Sequence, residues 1–325
     1  MSGTAARVTG GARSSRLHEP DAVGLRVHRE LSRSVYARTV RLQARIGSDA
    51  LDGKPWLAEA RRLIQRLVEL VEEDSTALVG LTTIKAIALP ESGQVVRTHG
   101  VNVAILAIVL ARAARVRRSD LAEVGIAALL HDVGLDATGD PSVHALHGAE
   151  CLLQLGPVDK VMRPALVALE HHAPEDELDE TSAFERDAAT RIVQVVDAYD
   201  TLTAGCGGAG RPDRVVRFLL REAGKRFDAA LVKLLAHALG IYPPGTVVRL
   251  LTGEIGIVLR PNHDPQKLDR PLVRILRDAS GAPRAGIATL DLAERNASGF
   301  VHTIERSVDP LPLGIAPAAV FLGTA

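Results

Sequence analysis

Ala127-Ala128-Leu129-Leu130-His131-Asp132-Val133-Gly134 is the stretch on which the reading of this chain turns. The apolar run from Leu121 to Leu130 has the length and composition of a buried helix, and Asp120 with Glu123 matches a capping box at its start. The run ends in an adjacent histidine and aspartate. Such a pair can give one ligand to each of two neighbouring cations, since imidazole and carboxylate suit Fe, Mn and Zn and one carboxylate can bridge. Working outward, a strongly apolar helix is expected from about Val95 to Ala114, beginning near His99. Asp140-Pro141 reads as the N-cap and first residue of a helix holding His144, His147 and Gly148. A helix from about Val158, with Pro164 tolerable only near its start, reaches His171-His172 and stops before Pro174. Arg191 to Leu202 is a further apolar helix, carrying Asp197 and Asp200. Six of the eleven histidines fall between 99 and 172, and the expected ligands are spread over separate helices of the set. A metal site inside a helical bundle is built in this way.

The order His99, His131-Asp132, His144, His171-His172, Asp197 resembles the HD-GYP branch of the HD phosphohydrolase superfamily. The surrounding phrases agree. Thr98-His99-Gly100-Val101-Asn102-Val103-Ala104 is similar to the family's first-histidine helix, and Ala127 to Gly134 to its HD motif. His144-Ala145-Leu146-His147-Gly148-Ala149-Glu150 matches its His-x-x-x-Gly helix without the usual proline, and Val195-Val196-Asp197-Ala198-Tyr199-Asp200-Thr201-Leu202 its closing aspartate motif. Tyr242 to Val248 and Gly253 to Val258 resemble the segment after the catalytic bundle, so the likeness runs over about residues 75–280.

The resemblance implies a metal-dependent phosphodiesterase. His99, His131, Asp132 and Asp197 are expected to hold one divalent metal ion, with Asp132 bridging to a second held by His144, His171 and His172. Fe or Mn is the expected identity of both. Water between the cations is expected to lose a proton and act as nucleophile, with Asp132 as the essential residue. Cyclic di-GMP is the substrate the family opens. His147 and Asp200 are expected in supporting positions rather than as ligands. Val95 stands where some members carry a glutamate for a third metal, which favours two.

Three departures from the family pattern favour an alternative, a catalytically degenerate HD-GYP-like module that binds or regulates. Leu135 replaces the lysine three residues after the HD aspartate. The Gly-Tyr-Pro loop is replaced by Pro174-Glu175-Asp176-Glu177-Leu178-Asp179-Glu180, an acidic run that repels an anionic dinucleotide unless it faces solvent. The stretch from Asp132 to His144 is also shorter than usual.

The rest of the chain frames this region. Leu25, Leu31, Val35, Leu42 and Ile46 recur at helical intervals, and Asp52-Gly53-Lys54-Pro55 reads as a turn. A second helix follows with Leu57, Ile64, Leu67, Val68 and Val71 as its stripe, then a third from about Ser75 to Leu89. Arg61, Arg62 and Arg66 read as a solvated face. After a Gly-rich loop at 205–210, residues from about Asp213 to Leu239 are helical with breaks at Gly224 and Gly240. Thr246–Leu251 and Ile255–Arg260 form a hairpin, Leu272–Leu276 adds a strand, and most of the remainder to Ala325 reads as loop. The expected fold class is therefore all-α, an HD-type helical bundle with an N-terminal helical region and a small β-rich C-terminal segment. The expected division is 1–20 disordered tail, 21–90 N-terminal helices, 91–240 metal-binding domain and 241–325 short-stranded extension.

Lysine plus arginine equals aspartate plus glutamate at 39 each, which argues against a polymeric nucleic-acid partner. Cys151 and Cys206 fit no metal or redox spacing. No apolar run reaches membrane-spanning length, so a cytoplasmic protein is expected. The expected partners are a small phosphodiester and, through the N-terminal helices, a second copy or a signalling protein. His28, His237, His263 and His302 stand alone and read as surface or packing residues.

Overall fold

With aromatics at 3%, the interior is built from Leu, Ile, Val and Ala, and in this computed structural model that interior is helical. The structure describes residues 19–49, 56–88, 95–138, 140, 143–173, 187–205 and 210–323. Residues 1–18 of the expected tail, the 52–55 turn, the 174–180 acidic run and most of the 205–210 loop lie outside them, while residues 19 and 20 of that tail already belong to the first helix.

Helices α1 (Glu19–Asp49) and α2 (Trp56–Asp74) lie against a central pair, α4 (His99–Ala113) and α5 (Arg118–Leu130). Almost every residue of α4 is buried, so this helix is apolar on all sides and forms the axis of the bundle. Helices α7 (His144–Gln154), α8 (Val158–Glu170) and α9 (Ala188–Ala204) complete the ring around it, with short α6 (Val133–Thr138) leading into α7. α10 (Pro212–Glu222) and α11 (Ala229–Leu239) close the far side. One apolar core runs from Val35 to Leu239 without interruption.

Several local expectations are corrected. The helix expected from Ser75 to Leu89 is only α3 (Thr76–Leu81). The Thr82 and Thr83 hydroxyls bond back to the carbonyls of Val79 and Gly80, competing with helix continuation. The chain then forms an antiparallel pair, β1 (Ala86–Ala88) with β2 (Val95–Arg97), in register Ile87 to Val96. Asp120 lies inside α5 and pairs with Arg117, the residue that precedes the helix; no capping box forms. α7 begins at His144 after Val143, and Pro141 of the expected start lies outside the described residues.

Pro164 sits in the middle of α8, not near its start. Proline cannot donate to the carbonyl four residues back, here that of Lys160. Arg61 fills the gap, donating from Nη2 to that oxygen at 2.8 Å while its Nη1 pairs with Glu123. Arg61 is thus a structural link between α2, α5 and α8 rather than a solvated arginine.

The C-terminal region holds more β-structure than expected. β3 (Val247–Leu250), β4 (Ile255–Arg260) and β5 (Leu272–Arg277) match the expected strands, but β6 (Pro283–Asp291) and β9 (Ile304–Ser307) come from sequence read as loop. Together they form a five-stranded antiparallel sheet in the order β6-β5-β4-β3-β9, beside a minimal pair, β7 (Arg295–Asn296) and β8 (Gly299–Phe300). Alternation gives the sheet two apolar faces, one under Val248, Val258, Val273 and Ile275, the other under Val247, Ile255 and Ile257. A last helix, α12 (Pro317–Leu322), brings Phe321 against Gly80 of α3, where a Cβ would collide with its ring.

Candidate metal centre

All seven histidines and aspartates of the expected ligand set meet at one end of the bundle. Their ligand atoms fall into two groups, Asp132 with His144, His171 and His172, and His99 with His131 and Asp197; within each group they lie within 4.8 Å of one another. Asp132 faces both. Its Oδ1 is 3.4 Å from His144 Nε2 and 3.4 Å from His171 Nε2, while its Oδ2 is 3.6 Å from His99 Nε2 and 3.5 Å from His131 Nε2. The rings of His131 and His171, one from each group, are 5.0 Å apart edge to face.

Helix ends put the histidines there, and α9 carries Asp197 in its middle. His131 and His171 are the C-caps of α5 and α8, and each donates Nδ1–H to the carbonyl three residues earlier, Ala128 and Ala168, at 2.8 Å. A carbonyl only accepts, so the contact fixes the tautomer and leaves Nε2 as the ligand atom. His172 follows one residue later, its Nε2 3.1 Å from that of His144. Gln194 of α9 secures this end of α8 by donating to the carbonyls of Glu170 and Ala173.

His144 is brought in by a close approach of backbones. A Cβ on Gly134 would stand 2.0 Å from the His144 carbonyl oxygen and 2.5 Å from the Gly148 nitrogen. The glycines of the two motifs therefore let α6 lie on α7.

His99 opens α4, and the N-terminal helices hold that opening turn. Gln43 accepts from the Val101 N–H, and Tyr36 donates to Asn102, whose amide donates in turn to the carbonyls of Thr82 and Ile84. His99 Nδ1 donates to Asp200 Oδ2 at 2.8 Å, and its Nε2 is 3.1 Å from Asp197 Oδ1. Asp200 stands behind His99, outside both groups. His147 also stands outside them, its Nε2 3.5 Å from Cys151 Sγ.

The electrostatics suit cations. Burial disfavours the charged forms of Asp132 and Asp197, yet the surrounding imidazoles outweigh it and hold both carboxyls well below the usual range. Burial likewise opposes protonation of His99, but hydrogen bonds to Asp197 and Asp200 raise it to about 10. His172 is lowered, by burial and then by His171. His131 is wholly buried, and its Nε2 has no hydrogen-bond partner among the described residues. An orphaned imidazole nitrogen facing two carboxylates is a donor set that fits a divalent ion. The centre is closed from behind by buried His131 and His171 and reached from the side of exposed His172 and partly exposed Asp132 and His99.

Sequence reading missed the supports: Lys85, Gln194, Tyr36, Gln43 and Asn102. Two of them carried a local signal, since Asn102 and Gln194 lie three residues from His99 and Asp197 and so share their helix faces. The N-terminal helices and Lys85 had none.

Comparison with known proteins fits this geometry. Residues 96–203 match the family model described as HD domain. By sequence the chain is similar to the cyclic di-GMP phosphodiesterase PA4108 of Pseudomonas aeruginosa, 28% identical over 288 residues that cover 80% of this chain and 67% of that protein. By structure it is similar to Bd1817, an HDG"Y"P protein from Bdellovibrio bacteriovorus, with a TM-score of 0.50 and 15% identity over 62% of this chain and 69% of that one. The latter likeness is one of fold. The resemblance to HD-GYP proteins read in the motifs thus holds, with the HD-domain match lying over residues 96–203.

Proposed function

We propose that the protein is a metal-dependent phosphodiesterase with a binuclear centre, and that cyclic di-GMP is its substrate. The observation that carries this reading is the position of Asp132, one oxygen toward each ligand group. His99, His131, Asp132 and Asp197 would hold one divalent ion, and His144, His171 and His172 with Asp132 the other. Mixed imidazole and carboxylate donors favour Fe or Mn. When bound, such ions lower the pKa of water and neutralise phosphoryl oxygens during in-line displacement.

The chain's own residues do the rest. Asp132 ties the two groups together and sets their spacing. His131 and His171, anchored on backbone carbonyls, keep Nε2 aimed inward without loss of orientation when ligands change. Asp197 is steadied by the Thr201 hydroxyl at 3.2 Å. The partly exposed side admits a phosphodiester while the apolar helices behind exclude water.

The substrate assignment draws on the name of the Pseudomonas relative. Purified protein should carry about two Fe or Mn per chain and hydrolyse both bis(p-nitrophenyl) phosphate and cyclic di-GMP. Asp132→Ala should lose the metals and both activities. A chain that takes up no metal overturns the reading. Leu135, in place of the expected lysine, favours a second reading as a nucleotide-binding regulatory module; metal-loaded protein that binds cyclic di-GMP but leaves both phosphodiesters intact selects it.

A further inference from the structure

We infer that Lys85 is a positioning residue for the cation site built on His99, and that it acts through Asp200. The inference rests on the reading above, that the His99 group holds a metal ion.

The need for such a residue follows from where the histidines sit. His131 and His171 end their helices, so each finds a rigid carbonyl three residues back. His99 begins α4 and has no preceding helical turn to lean on. Its Nδ1–H goes instead to a side chain, Asp200 Oδ2 at 2.8 Å. A side chain orients a ligand only if it is itself fixed.

Lys85 does the fixing. Its Nζ lies 2.6 Å from Asp200 Oδ1 and 3.0 Å from Thr203 Oγ1. Asp200 is 1% exposed, so its two oxygens are spanned between an ammonium and an imidazole with almost no access to water. A carboxylate buried this deeply requires a counter-charge. Lys85 supplies it without occupying a position in either ligand group.

The segment that carries Lys85 is tied to the turn that carries His99. The Lys85 carbonyl accepts from the Thr98 N–H at 3.3 Å, and the Ile84 carbonyl accepts from both Thr98 Oγ1 and Asn102 Nδ2. Backbone and side chain therefore fix His99 from the same short stretch, 14 positions earlier in sequence. This explains why α3 gives way to a two-stranded pair: continuing the helix would break these bonds.

The test uses the full chain stripped of metal and titrated with Mn2+, with chelator competition giving two dissociation constants and the coupled Mn pair read by electron paramagnetic resonance. Wild type should bind two ions. Lys85→Met should keep the affinity of the Asp132–His144–His171–His172 site, weaken the other about 10- to 100-fold and lose the coupled signal. Lys85→Arg should restore much of it. Asp200→Asn should weaken the same ion, and adding Lys85→Met to it should cost little more, because the two act in series. If Lys85→Met melts below the assay temperature, Lys85→Gln is titrated in its place with the same expectation. Two ions held at wild-type affinity in either Lys85 variant, or additive losses in the double variant, overturn the inference. Wild-type protein that binds no Mn2+ overturns instead the reading on which it rests.

Discussion

His99, Asp132 and Asp197 set the pH behaviour of the metal-free protein, and the direction for each is fixed. His99 is raised from 6.5 to about 10, so its contribution to folding is whole below 6.5 and is lost as pH rises toward 10. Asp132 and Asp197 are depressed below 3.8, so theirs is whole above that value and is lost as pH falls beneath it. These three groups therefore support the apo fold best between about pH 4 and 6.5, while His172, lowered by burial, works the other way as pH falls below 6.5. Melting curves of chelator-treated protein should reach their plateau there and decline on the alkaline side. His99→Gln should flatten that alkaline decline; an unchanged slope would dissociate His99 from it. Metal must displace the proton on His99, so Mn2+ affinity should rise with pH and its binding should release protons, measurable by titration in buffers of different ionisation enthalpy. The ligands themselves were legible in the sequence because each is a motif residue, the histidines and Asp132 at or beside helix ends and Asp197 within α9. Lys85 was not, because its partner lies 115 positions away and neither neighbour in sequence marks it.

At the scale of elements, the centre depends on two close packings, and each has its own variant. Gly134 allows α6 to touch the backbone of α7, where a Cβ would meet atoms 2.0 and 2.5 Å away that cannot swing aside. Gly134→Ala should push His144 out of its group. The expected result is a chain that keeps much of its helical circular dichroism yet loses the ion bound by Asp132, His144, His171 and His172. Two ions retained at full affinity would show that α7 tolerates the shift. On the opposite flank, Arg61 supplies the donor that Pro164 lacks, and Arg61→Met should destabilise the protein by about 1 kcal/mol, since the Lys160 carbonyl and the Glu123 carboxylate both lose their charged partner. Urea unfolding checks it, with Arg62→Met as a control that should change little. The main helices of the bundle were readable from apolar periodicity, within a few residues. What misled was local chemistry with two outcomes. Asp120 and Glu123 can cap a helix or lie inside it, and the Thr82-Thr83 pair can continue α3 or end it. Neighbours decide between them, Arg117 three residues before Asp120 and the β1–β2 pair that follows the threonines.

Across the whole molecule, the sheet was the part least visible in sequence. β6 and β9 carry few apolar residues in alternation, and β9 pairs with β3 across more than fifty positions. Their strand character comes from the neighbour, not from the segment. The sheet is held to the bundle at α10, where Arg211 Nη1 donates to the Ser307 carbonyl at 2.9 Å and Ser307 Oγ donates to Asp213 Oδ2 at 2.8 Å. Asp213 is buried, and its other oxygen has no partner among the described residues. Burial raises its pKa, outweighing the Ser307 hydroxyl and the nearby Arg217. For a raised acid, stability is whole below 3.8 and declines as pH climbs through the folded-state value, so at neutral pH the ionised form works against the junction. Asp213→Asn keeps an oxygen for Ser307 and removes the buried charge. It should therefore melt above wild type at pH 7, by a margin that shrinks as pH is lowered toward 4, while metal content stays the same because Asp213 touches neither ligand group. Calorimetry at pH 7 and pH 4.5 decides the point. A variant that melts below wild type at pH 7 would mean that the carboxylate, through its place in the first turn of α10 or through Arg217, holds the sheet on the bundle more strongly than its burial opposes it.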